Sequence, residues 1–423
     1  MYKIPYLVIV SLLSLTINTY ARSFPDNIQP DGISDQTWSN LTDALDAYKL
    51  MADDGLTGDS FGWSVSVSAD RALIGAMGAD GSAMNAGAAY IFDYDGNNWI
   101  QSAKLTADDG EMYDNFGWSV SLFGDRALIG ANRDDNIGSA YVFDFDGSHW
   151  VQSAKLTSED ANRFDEFGGS VSLFGNLAMV GAEGHDESAS DGGAVYVFEL
   201  NDSTWIQVDK LVADEPTEND RFGGSVSLQD GRVLIGAYRG DTGSAFVFDF
   251  DGTHWVQSAK LTADDGATND SFGRSVSLFG DRALIGAYQD DNLGSAYIFD
   301  FNGTHWVQTT KLTADDGKPF DGFGQSVSLF GDRALIGAYY ASALLSSSGS
   351  AYVYELNGTH WIQTTALTDS AAEEGGVFGY SVSLSDNKGL IGAPGKSDTK
   401  GEAQVFEIQN NLYDFIFKHG FEE

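Results

Sequence analysis

Carboxylates dominate the chemistry available to this chain. Asp-Asp-Gly followed four residues later by a further Asp supplies Asp108, Asp109 and Asp114, then Asp264, Asp265 and Asp270, then Asp315, Asp316 and Asp321. Such runs can gather oxygens around a sharp glycine turn, the arrangement a calcium ion needs for its 6–8 ligands. These aspartates are the candidate metal ligands and calcium the candidate cofactor. The competing reading is that they cap turns through neighbouring backbone NH groups. A second set is aromatic. After each of several Phe-Gly pairs stands a variable residue, among them Trp63, Trp118, Arg274 and Tyr380, with glycine at 169 and 224 and Gln325 in the others. After recurring Gly-Ala pairs stand Tyr238, Tyr288 and Tyr339, with Tyr340 beside the last. Rings of this kind, with Arg274 among them, stack on sugars or anchor a peptide, or else fill gaps inside the fold. His149, His254, His305 and His360 each precede a Trp at one repeat position, so they spread out and do not converge on a metal. His185 stands off the pattern, in a loop with Glu183, Asp186 and Glu187. It reads as a surface residue, with a weak metal site as the alternative. No Ser is placed beside a His–Asp pair that would activate it, and no glycine-rich loop opens a helix to bind phosphate.

A repeat positions these residues. Phe-Gly followed by x-Ser-Val-Ser occurs at Phe61, Phe116, Phe167, Phe222, Phe272, Phe323 and Phe378, 50 to 55 residues apart. Each unit holds four strand-like runs. In the unit from Phe272, strand A is FGRSVSL, with alternating polarity. Strand B is RALIGA, apolar enough to be covered on both faces. Strand C is SAYIFDF and strand D is HWVQTTKL. Gly280-Asp281 and Asn302-Gly303 make the hairpin turns. No helical pattern appears in the repeats. Four antiparallel strands repeated seven times predict an all-β protein, a seven-bladed β-propeller of four-stranded antiparallel blades. The last unit ends at strand C, while Ala47–Leu50 matches the end of a strand D. The N-terminal strand is therefore expected to complete the last blade and close the ring.

The residues FGxSVSL, LIGA and GSAYVF, with a W-x-Q-x-x-KL tail, resemble the bacterial FG-GAP repeat and are similar to that of the integrin α-subunit propeller. The resemblance spans about 47–408. It implies extracellular recognition, often adhesion, often with calcium. In integrin-like propellers the calcium loop lies between strands A and B. Here that link is a short turn, Phe123–Arg126 or Phe279–Arg282, too poor in oxygens for the ion. The same resemblance places the D–A and B–C links on one face of the disc, where most of the aspartates would then crowd.

The totals agree with an exported protein. There are 62 acidic and 23 basic residues, a net charge of −39, and no cysteine. That balance argues against nucleic acid and anionic lipid, which need clustered Lys and Arg. It leaves no disulfide or thiolate metal site. Residues 1–21 read as a signal peptide: Lys3, the apolar run Leu7–Ile17, then Thr19 and Ala21 before a cleavage point. Residues 22–44 read as a linker, 45–408 as the propeller and 409–423 as a tail. The tail is aromatic and resembles the short ending of some exported bacterial proteins, which implies a sorting tag; packing on the disc is the alternative. Asn40, Asn201, Asn269, Asn302 and Asn357 fit Asn-x-Ser/Thr, a glycan acceptor in a eukaryotic secretory pathway and a turn former otherwise. The expectation is a secreted or cell-surface recognition module, not an enzyme, whose partner is an extracellular protein or glycan. The alternatives are a secreted hydrolase or lyase on the same scaffold, and a structural envelope protein.

Overall fold

A computed structural model describes residues 47–186 and 189–408. The signal peptide, the linker and the tail lie outside the described residues, as does Glu187. Seven four-stranded antiparallel sheets form the blades, each in the order A-B-C-D. In blade 5 these strands are Phe272–Phe279, Arg282–Ala287, Ser295–Phe301 and Trp306–Leu312. Strand A of each blade touches strand A of the next, and the last touches the first, so the A strands surround the axis. Blade 7 takes its strands A to C from Ser381–Ser385, Lys388–Ala393 and Glu402–Glu407. Its strand D is Tyr48–Leu50, paired Tyr48 to Val405 and Leu50 to Ala403. The N-terminal strand thus closes the ring as expected.

The repeated residues become legible as contacts between blades. The Phe-Gly glycine has a positive φ in every blade, +90° at Gly273. A Cβ there would run into the Ser244 carbonyl of the preceding blade's strand C. The strand-B glycine is equally confined, since a Cβ on Gly286 would strike the Gly324 carbonyl of the next blade. Only glycine lets the two backbones approach this closely. The serines of strand A bridge the same seam. The second Ser of Ser-Val-Ser accepts the backbone NH of the next blade's strand A at 2.9–3.0 Å: Ser66 from Leu122, Ser121 from Leu173, Ser172 from Leu228, Ser227 from Leu278, Ser277 from Leu329 and Ser328 from Leu384. Ser383 accepts from Val67 and completes the circle. In six seams the first Ser donates to the Phe-Gly glycine carbonyl ahead of it.

Strand B is the core of each blade; Ala283, Leu284 and Ile285 have no solvent exposure. The Arg that opens strand B holds the opposite rim. Arg282 pairs with Asp300 on its own strand C at 2.7 Å and reaches Asp332, in the A–B turn of the next blade, at 2.9 Å. The short Gly-Asp-Arg link is therefore an inter-blade ion pair. The B–C links of blades 2, 5 and 7 fold into single tight turns at Asp134–Asn136, Asp290–Asn292 and Lys396–Thr399, each with left-handed residues inside it.

Two alanine substitutions separate contact from conformation. Gly252, in a C–D turn, has a φ of +100°, and a Cβ added there would meet nothing within 4 Å. Gly252→Ala should cost only the left-handed strain, about 1–2 kcal/mol. Gly273→Ala adds the collision with strand C and should cost about 3–5 kcal/mol. Equal losses in urea unfolding would show that the blade seam does not need its glycines.

Candidate functional site

The loop face carries two constructions, one acidic and one aromatic. In the acidic one, strand C presents a Tyr opposite a Lys of strand D, as in the pair Tyr297–Lys311. Both reach the second Asp of the D–A link. Tyr297 Oη donates to Asp265 Oδ1 at 3.0 Å and Lys311 Nζ to Asp265 Oδ2 at 2.6 Å. Lys311 also meets the buried Asp290 at 2.7 Å. Blade 2 repeats this with Tyr141, Lys155, Asp109 and Asp134. Blade 1 uses Tyr90, Lys104 and Asp54, and blade 3 Tyr196, Lys210 and Asp160. In blade 6, Ala366 stands opposite Tyr352 where the Lys would be, and Asp316 lies against the Tyr352 hydroxyl.

Electrostatics follow from this geometry. Burial alone would raise the Asp109 carboxyl, but Lys155 and Tyr141 outweigh it and hold it below the usual range. The Lys311 ammonium is the main cause of the same lowering at Asp265. Burial depresses Lys311 less than Asp265 and Asp290 raise it, so its pKa rises.

The other candidate aspartates form turns. Asp114 accepts the NH of Glu111, Asp270 that of Ala267 and Asp321 that of Lys318. All three are buried, and burial lifts their pKa. Asp108, Asp264 and Asp315 are exposed; their backbone NH groups donate to Gln152, Gln308 and Gln363 at 3.0–3.1 Å. The W-x-Q glutamine of strand D thus fastens the loop of the preceding blade. Among the described residues no group of three or more His, Asp or Glu is arranged to hold a metal ion.

His185 is not a surface residue. It is buried, with Nδ1 2.7 Å from Asp165 and Nε2 2.8 Å from Lys210 Nζ. It takes the place beside the strand-D lysine that Asp134 fills in blade 2. The four repeat histidines sit exposed in separate C–D turns.

The aromatic construction surrounds the axis where the A strands begin. Trp63 packs on Trp118 at 5.0 Å between centroids and on Tyr380 at 4.7 Å. Tyr380 meets Tyr339 at 5.8 Å, and Tyr339 meets Tyr340 at 3.9 Å. Five rings from blades 6, 7, 1 and 2 therefore form one unbroken line. Most are half-buried, while Tyr340 is exposed. Burial pushes the Tyr380 hydroxyl up to about 12. The arc Tyr238–Tyr288–Tyr339 expected from the sequence is divided. Tyr288 bonds Gln289 and lies near enough to Tyr339 to help raise its pKa, a rise due first to burial. Tyr238 belongs instead to a charged cluster. The Arg274 guanidinium lies 5.0 Å from its ring, and its hydroxyl meets Glu183 at 3.3 Å. Arg221 stands 3.9 Å from Glu183, whose carboxyl is raised by burial. Tyr380, named in the sequence only as one of the variable residues after Phe-Gly, is the member that joins the two halves of the line. It occupies the same slot as Trp63, and ring closure alone makes blade 7 the neighbour of blade 1.

These sheets and their closure define a seven-bladed propeller. The FG-GAP repeat family model matches residues 46–92, 99–143, 150–198, 205–248, 255–299, 306–354 and 361–406, and the chain belongs to that family. No curated protein matches it. No helix among the described residues is long and apolar enough to cross a membrane.

The clamps and the turn aspartates should respond oppositely to neutralisation. Lys311→Met leaves buried Asp290 without its cation and should cost about 3 kcal/mol in thermal or urea unfolding. Asp270→Asn keeps an oxygen for Ala267 and removes a charge that burial disfavours, so the midpoint should hold or rise. Asp54, Asp109, Asp160 and Asp265 have lowered pKa values. Their contribution is complete above the unfolded value near 4 and is lost as pH falls through the folded values. Stability that stays flat from pH 5 to pH 2 would contradict the clamps.

Proposed function

We propose that this propeller is a secreted or surface-displayed recognition module, without catalytic activity, that binds an extracellular protein or glycan through its loop face. One observation carries the reading: the line Trp118–Trp63–Tyr380–Tyr339–Tyr340. Flat rings with polar groups beside them stack on sugars or seat apolar side chains. Arg274 supplies charge within electrostatic reach of the Tyr380 hydroxyl, and Gln325 occupies the slot after Phe-Gly in blade 6. Membership in the FG-GAP repeat family fits recognition or adhesion. The non-catalytic part of the reading draws on the clamps, where titratable groups recur blade by blade as parts of the scaffold.

The test is Trp63→Ala with Tyr380→Ala, compared with wild type on a glycan array and on a panel of immobilised extracellular proteins. Binding should fall at least tenfold in the variant, with ligand addition changing the tryptophan fluorescence of wild type. Undiminished binding by a folded variant would contradict the reading.

A further inference from the structure

The residue immediately before each turn-forming aspartate has a left-handed backbone in all the links that hold one. The series runs Gly58 (φ +98°), Tyr113 (+72°), Phe164 (+74°), Asn219 (+63°), Asn269 (+73°), Phe320 (+71°) and Gly375 (+72°), the last preceding a glycine. The conformation is built into the repeat. It turns the backbone NH toward the B–C loop of the preceding blade: Tyr113 donates to Asn85 at 3.1 Å, Phe164 to Asn136 at 2.8 Å and Phe320 to Asn292 at 2.6 Å. Asn219 and Asn269 make the same bond, to Ser190 and Asp241. Glycine and asparagine adopt this backbone readily, whereas for a bulky aromatic residue it is an outlier that costs stability.

Three links accept that cost and gain no burial for it. Tyr113 is 55% exposed, Phe164 71% and Phe320 73%. Single exposed apolar residues are ordinary on a surface, but these three combine exposure with strain at a slot where the fold itself is satisfied by Gly or Asn. Backbone strain that folding does not repay marks function. Two of the rings also have exposed apolar neighbours: Met112 precedes Tyr113 in the chain and is 49% exposed, and Tyr340, 48% exposed, stands beside Phe320. Phe320 and Tyr340 line one shallow cleft with Pro319.

We propose that Tyr113, Phe164 and Phe320 are anchors that insert into apolar pockets on a basic protein partner. The inference rests on the recognition reading above but uses different residues. Convex tips suit pockets, whereas a sugar ring wants a flat platform such as the axial line. Exposed carboxylates flank each tip: Asp108 and Glu111 by Tyr113, Glu159 and Asp160 by Phe164, Asp315 and Asp316 by Phe320. The neighbouring cations are Lys318, Arg163, whose guanidinium lies 5.7 Å from the Phe164 ring, and Lys210, which pairs with Asp160; they are too few to offset a chain whose net charge is −39. Charge complementarity therefore selects a partner rimmed with Lys and Arg, and the same carboxylates disfavour an anionic membrane.

The experiment compares wild type with the triple variant Tyr113→Asn, Phe164→Asn, Phe320→Asn, using a phage-displayed random dodecapeptide library panned on wild type. Enriched peptides should combine Lys or Arg with large apolar residues and bind the variant at least tenfold more weakly. The variant should melt at the wild-type temperature or roughly 1–3 °C above it, because Asn relieves the strain. The inference is overturned if no peptide enriches, if enriched peptides bind both proteins within twofold, or if the variant melts below wild type. It is also overturned if wild type binds phosphatidylcholine vesicles through these residues, which would make the tips a membrane contact. The Trp63→Ala, Tyr380→Ala protein runs in parallel. Loss of binding there with none in the tip variant defeats this inference alone.

Discussion

Everything in this molecule depends on how closely one blade backbone can approach the next. A four-stranded sheet of about 50 residues cannot bury both of its faces by itself. Stacking solves this only if neighbouring sheets touch, and at the axis they touch backbone to backbone. The glycines of Phe-Gly and Gly-Ala are the two surfaces of that contact. The serines between them convert proximity into a circle of hydrogen bonds that runs through every blade and across the seam at Ser383 and Val67. The repeat is thus largely a description of the interface, and less of the blade interior.

Once the ring is fixed in this way, the loop face is free to vary. The A–B and C–D turns are short and similar from blade to blade. The B–C links differ in length and composition, and the residues after Phe-Gly and Gly-Ala vary among the units. Acidic charge is manageable there because strand D returns a lysine to the same place in most blades. The clamp of Tyr, Lys and Asp ties three elements together at a point where the loop leaves the sheet. Blade 7, whose strand D comes from the other end of the chain, uses a different set: Lys49 and the buried Lys396 share Asp369 and Glu402.

Strands, turns, blade number and closure could all be read from the sequence, because repetition averages out local ambiguity and Ala47–Leu50 visibly supplies what the last unit lacks. The clamps could not. Asp265 and Lys311 are 46 residues apart, and nothing local indicates that one neutralises the other. Their partnership ties the second Asp of the link to strand D. The axial rings were half legible. Position identified Trp63, Trp118 and Tyr380 as equivalent, whereas their contact with Tyr339 and Tyr340 in one line depends on side-chain packing across the blades. Tyr238 was misgrouped because its neighbour Gly224 leaves room for Glu183 and Arg274 to surround it. The strained tips left a signal that could have been used: Tyr and Phe stand where other repeats place Gly or Asn.

Hydrogen exchange on the intact chain tests most directly whether the seam is the element that holds the ring. The amides of Val67, Leu122, Leu173, Leu228, Leu278, Leu329 and Leu384 donate across the blade boundaries. They should exchange last and together, with the free energy of global unfolding, while the loop-face amides exchange through local openings. Fast exchange of these amides at any one boundary, with the strand-B amides still protected, would mean that the blades stand independently and that the seam does not carry the fold.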